Sequence, residues 1–163
     1  MATITTARIL ADKALQETCG QECVDWAISM LEQGRDGHHL TMLAGMSPPF
    51  NHFELADYRD RSLRELGITD ITDSAAITTY AAERLRLALA GKADLASTLR
   101  TIKDLYVGAD YLRDLRDFYL LYFAYTDLQE SEFQWYWPDA NRENITSLIH
   151  DRAEAFLRST GNA

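Results

Sequence analysis

The stretch from Leu40 to Ile68, LTMLAGMSPPFNHFELADYRDRSLRELGI, constrains the fold more than any other part of the chain. It holds two of the three prolines. The segment Ser47-Pro48-Pro49-Phe50 cannot be helical, because proline lacks an N–H and disfavours the α region in the residue before it. A short apolar helix arriving from His38 must therefore stop near Ala44-Gly45. Asn51 is placed to start the next helix, with Glu54 three residues later at capping-box spacing. That helix reaches Leu66, where Gly67 can take the left-handed conformation that closes it. The local order is helix, corner, helix.

The rest of the chain follows the same pattern. Apolar residues recur at helical spacing from Ile4 to Thr18 and from Gln21 to Gln33. After a polar connection at Thr69 to Asp73, a helix rich in small residues is predicted from Ser74 to Ala90, ended by Gly91. Asp94 caps another, with Leu95, Leu99, Ile102 and Tyr106 on one face. The most apolar helix is predicted from Ala109 to Asp127. It contains FYLLYFAY, apolar most of the way round, and is expected at the centre of the bundle. A last helix is predicted from Arg142 to Leu157. No run sustains strand alternation. The expectation is an all-α fold, a single domain over residues 1–163 with about seven or eight helices around the central apolar one, frayed from Ser159 to Ala163.

Charge narrows the choice of partner. The chain carries 16 basic and 25 acidic residues, a formal net charge of −9. Such a surface repels phosphate backbones, so nucleic acid is not an expected ligand. It suits solubility, or a basic protein partner approached by electrostatic steering. No apolar run reaches the roughly 18 residues that span a bilayer, so no membrane partner is expected. The N-terminal stretch MATITTARILADKAL has no long apolar run before its first charges, which argues against a signal peptide. Cys19 and Cys23, four residues apart, would share one face of a continuous helix, which is poor disulfide geometry. Two reduced thiols in a cytoplasmic protein are the expectation.

Motifs for catalysis are missing. His38 and His39 are adjacent and point to different sides of a helix, His52 lies past the corner, and His150 is on the last helix. No His-x3-His, Cys-x2-Cys or paired Glu-x-x-His spacing occurs, so neither a metal nor another cofactor is expected. Ser47 lacks a nucleophile-elbow context, and the glycines form no phosphate-binding loop. Asp110, Asp114 and Asp117 would form a carboxylate stripe on the most apolar helix. With Arg113 and Arg116 interleaved, it reads as a solvated face or an acidic edge for a protein.

Phe133, Trp135, Tyr136 and Trp137 place two of the chain's three tryptophans within one short connection. Such a cluster can lid a core, or it can form a recognition surface, since Trp and Tyr dominate binding hot spots. Between Thr101 and Glu143 nine acids face four bases, so more than half of the excess negative charge accompanies the aromatics. Candidate partner-binding residues are thus Phe133, Trp135, Tyr136 and Trp137, with Glu130, Glu132, Asp110, Asp114 and Asp117.

The pattern Leu43-Ala44-Gly45-Met46, Glu54, then Leu63-Arg64-Glu65-Leu66-Gly67-Ile68 resembles a set of small bacterial helical proteins of accessory or immunity type. The match runs from about Trp26 to Leu89. The resemblance implies an accessory or immunity-type protein of a bacterial conflict system. It assigns no catalytic residue. Residues and resemblance together lead to an acidic protein-binding module, not an enzyme, acting on a basic partner. The alternative is a small helical enzyme or ligand-binding bundle with a pocket near Tyr119, Tyr122 and Trp135.

Overall fold

The structure is a computed structural model that describes residues 3–161. Its described residues form eight α-helices and no strand, so the chain is all-α. In order these are α1 (Thr6–Ala14), α2 (Gln21–Glu32), α3 (His38–Ala44), α4 (His52–Glu65), α5 (Asp73–Leu89), α6 (Leu95–Gly108), α7 (Arg116–Glu130) and α8 (Ile145–Ser159). A 3₁₀ turn at Arg113–Leu115 leads into α7. Two compact units divide the chain, Met1–Ala76 and Ile77–Ala163, with the division inside α5.

The first unit is built around the corner. Asn51 Oδ1 accepts the backbone N–H groups of Phe53 and Glu54, satisfying two donors at the start of α4. Gly67, at φ 75°, ends α4 as the Ile68 N–H reaches back to the Leu63 carbonyl. Pro48-Pro49, joined by a cis peptide bond, fills the gap between α3 and α4. The core takes Ile9 from α1, Val24, Trp26, Ala27 and Met30 from α2, Leu40 and Leu43 from α3, and Leu55 and Leu63 from α4. The buried indole of Trp26 donates to Thr6 Oγ1 at 3.0 Å, so its one polar atom is satisfied.

Cys19 and Cys23 are joined by a disulfide, contrary to the expectation of free thiols. The expectation rested on a continuous helix. Instead α1 stops at Ala14, Gln16 is left-handed at φ 58°, and Gly20 is the N-cap of α2. Cys19 therefore precedes the helix, and its side chain need not run parallel to that of Cys23. The Cα atoms are 6.1 Å apart, within the span of a disulfide. Disulfides persist in oxidising compartments and are rare in a reducing cytosol, which removes one ground for expecting a cytoplasmic protein. No helix among the described residues is long and apolar enough to cross a membrane.

In the second unit α7 is the central element, packed against α6 and α8. Phe118, Leu121, Ala124 and Leu128 face the core, with Phe118 and Leu121 fully buried. Leu99 and Ile102 of α6, Leu115 of the 3₁₀ turn, and Ile149 and Phe156 of α8 are buried in the same unit, as are Ile77, Ala81 and Leu85 of α5. Phe118 meets Phe156 edge to face at 5.4 Å. The helix is not buried all round, however. Tyr119, Leu120, Tyr122, Phe123 and Tyr125 are only half-buried. It also begins seven residues later than predicted, because Asp110 and Tyr111 both adopt positive φ (53° and 63°) and break the helical run. The fraying expected from Ser159 is not found there: Ser159 is still in α8, Thr160 and Gly161 close it, and residues 162 and 163 lie outside the described residues.

Candidate functional site

Helix α7 ends at Glu130, and the chain does not become helical again until Ile145. The connection is irregular, but side chains take up several of its backbone polar groups. Gln134 is the organiser. Its Oε1 accepts the N–H groups of Tyr136 at 2.9 Å and Trp137 at 2.8 Å, and its Nε2 donates to the carbonyls of Trp137 at 2.6 Å and Ala140 at 3.1 Å. One amide side chain thus replaces a rung of secondary structure, using both its acceptor and its donors.

The far end of the loop is tied by two asparagines. Asn141 Oδ1 accepts from the Asn144 backbone N–H, and Asn144 Oδ1 accepts from the Asn141 backbone N–H. This reciprocal arrangement is the capping-box geometry in an Asn–Asn version. Asn144 Nδ2 also donates to the Asp139 carbonyl. Arg142 Nε donates to the Leu128 carbonyl at 2.8 Å, holding the loop's end to the C-terminal turn of α7. Because of this turn, α8 starts three residues later than predicted.

The four aromatic residues divide into two pairs. Tyr136 packs on Phe123 of α7, with ring centroids 5.3 Å apart, and Trp137 is half-buried. These two anchor the loop. Trp135 is 90 % exposed and Phe133 69 % exposed. Both stand in water on a backbone that is already fixed. Trp135 and Phe133, with Asp127, Glu130 and Ser131, line a shallow depression at the end of α7. Glu132 is exposed on the same loop.

Asp110, Asp114 and Asp117 do not form the predicted helical stripe. Asp110 sits in the left-handed turn after α6, Asp114 in the 3₁₀ turn and Asp117 in the first turn of α7. Asp117 Oδ2 holds Arg152 Nε of α8 at 2.6 Å, so its charge is compensated within the fold. Asp117 and Glu130 stand at opposite ends of α7, about 20 Å apart at the helical rise. The structure therefore groups Phe133, Trp135 and Glu130, and leaves Asp110, Asp114 and Asp117 at the other end of the helix.

Tyr119 and Tyr122 do not join Trp135. Tyr119 packs at an angle between Tyr106 and Phe123, and Tyr122 meets Phe123 edge to face with Lys103 Nζ 5.1 Å from its ring centroid. Among the described residues no group of three or more His, Cys, Asp or Glu is arranged to hold a metal ion.

Two of the histidines serve local structure. His52 Nδ1 donates to the Cys19 carbonyl at 2.7 Å. Glu65, at the end of α4, accepts from the His39 backbone N–H, the His39 ring and the Leu40 backbone N–H. Burial pushes the Glu65 carboxyl pKa up, but these hydrogen bonds outweigh it and hold it below the ordinary value. Asp12 shifts the other way. Its burial raises it, helped by Glu17 and Glu22 and opposed by Arg8 and Arg59.

Sequence reasoning located the aromatic segment and missed Gln134, Asn141 and Asn144, which give it a shape. The two asparagines at i and i+3 before an apolar run were the readable signal. No family model, curated protein or solved structure matches this chain.

Proposed function

We propose that this chain is a non-enzymatic binding module whose loop at 131–144 docks a basic protein, in the manner of an immunity or inhibitor protein masking a toxin. One observation carries the reading. Trp135 is 90 % exposed on a loop whose backbone is held in place by Gln134. Exposing an indole to water is unfavourable, and large exposed aromatics mark interaction sites. Holding the loop before binding removes part of the ordering cost that a flexible segment would incur. Five acids and one base between Asp127 and Glu143 give the loop its sign. The resemblance of the Leu43-Ala44-Gly45 and Glu65-Leu66-Gly67-Ile68 segments to bacterial immunity-type proteins points in the same direction.

The partner contributes the opposite charge, and rim carboxylates mainly accelerate encounter. Rising salt is therefore expected to lower the association rate far more than it raises the dissociation rate. The test is affinity capture from the native host, then binding kinetics with the purified partner. The captured protein is expected to be basic, and Trp135→Ala to cost at least about 2 kcal/mol of affinity. Full affinity in folded Trp135→Ala and Phe133→Ala variants would remove this surface from the interface.

A further inference from the structure

The surface beside Trp135 is concave, and the sources of negative potential around it converge. Asp127 and Glu130 are three residues apart at the end of α7, so they project from one side of the helix. Neither forms an ion pair among the described residues, whereas Asp104 is held by Lys103 and Asp117 by Arg152. The C-terminal end of α7 adds the negative pole of its dipole at the same place. Phe133 and Trp135 supply aromatic wall, and an aromatic face attracts a cation. The fold itself already places one guanidinium at this helix end, where Arg142 reaches the Leu128 carbonyl.

We infer that the depression is the receptor for one arginine side chain of the partner protein. The guanidinium plane lies on the Trp135 indole and its N–H edge meets the carboxylates of Asp127 and Glu130. Arginine suits the site better than lysine for two physical reasons. Its planar, weakly hydrated head stacks on an indole and forks onto carboxylates, while an ammonium is a compact ion that holds its water. This assignment rests on the docking role given to the loop and deepens it by naming the group that enters.

The test uses the full chain and three short capped peptides, Gly-Ser-Arg-Ser-Gly, its lysine counterpart and its citrulline counterpart. Citrulline keeps the shape of arginine and removes the charge. Binding is read by NMR at the Trp135 indole N–H and the backbone amides of Asp127 and Glu130. The buried Trp26 indole serves as an internal control for folding. The arginine peptide is expected to shift these resonances saturably, with lysine weaker by about fivefold and citrulline silent. Trp135→Ala and the double variant Asp127→Asn/Glu130→Gln are each expected to weaken the arginine peptide by about tenfold or more. Equal binding of lysine or citrulline overturns the assignment, as do shifts confined to other parts of the surface.

The same variants separate this inference from the docking role. If Trp135→Ala abolishes capture of the partner while the double carboxylate variant binds it normally, the arginine receptor is wrong and the docking loop stands. If the arginine peptide binds as described while Trp135→Ala captures the partner normally, the cation site stands and the docking role is wrong.

Discussion

The ring of Tyr136 lies against Phe123 of α7, at 5.3 Å and 31°, while its neighbour Trp135 is 90 % exposed. One ring anchors the loop and the next is left free. Tyr136→Ala is expected to lower global stability by about 1–2 kcal/mol, from the lost aromatic pair and its buried area. If the loop docks a partner as proposed, the variant also weakens that binding by loosening the loop, and Tyr136→Phe should restore both. Urea denaturation and amide exchange across residues 131–144 measure this. Unchanged exchange in Tyr136→Ala would remove the anchoring role.

Gln134 allows a sharper test, because it both donates and accepts. Gln134→Ala strips partners from four backbone groups and is expected to cost about 2 kcal/mol, given that each net hydrogen bond is worth about 0.5–1.5 kcal/mol. Gln134→Glu keeps the acceptor but has nothing to donate to the carbonyls of Trp137 and Ala140 at neutral pH. It should therefore be no better than alanine near pH 7 and recover as the carboxyl is protonated. A glutamate variant as stable as wild type at pH 7 would mean that the donor half of the arrangement is dispensable.

In the first unit the buried Trp26 indole depends on Thr6. Thr6→Val preserves shape and removes the acceptor, which should cost about 1–3 kcal/mol for the unsatisfied N–H. Thr6→Ser should be close to neutral. Thermal melts of the two variants, compared at one pH and protein concentration, decide the matter.

The two shifted carboxyls give opposite pH dependences. Glu65 is held below its ordinary value, so its hydrogen bonds stabilise the fold above the unfolded pKa of about 4.3 and are lost as pH falls through the lower, folded one. Glu65→Gln should be less stable near neutrality and lose less on acidification below about pH 4.3. Asp12 is raised, so its charged form is disfavoured in the fold, and it disfavours folding once pH rises past its unfolded value of about 3.9. Asp12→Asn should therefore be neutral in acid and neutral to stabilising at pH 7. Melting curves across the acid range read both, and parallel profiles for wild type and Glu65→Gln would contradict the Glu65 assignment.

Legibility in the sequence followed the reach of the interactions. Asn51, Gly67 and Asp94 mark helix ends because capping is local, and all three do in the structure what their types imply. The segment Asp110–Leu115 misled because it turns locally without the glycine or proline that usually marks such a break. Its break comes from Tyr111, whose N–H reaches the Tyr106 carbonyl and whose ring meets the Tyr106 ring at 5.6 Å. Without that turn the three aspartates would have shared a face. The aromatic segment was visible as composition. That Tyr136 would rest on Phe123 and Trp137 be half-buried while Phe133 and Trp135 stand out was not, because a glutamine folding back on the chain leaves no periodic trace.

The loop at 131–144 separates two kinds of information. Its shape is written in Gln134, Asn141, Arg142 and Asn144, which touch the chain itself. Its chemistry toward the outside is written in Phe133 and Trp135, whose side chains are largely free of the fold. A substitution at Phe133 or Trp135 therefore changes what the loop presents to its surroundings without removing any of the side-chain contacts that hold its backbone.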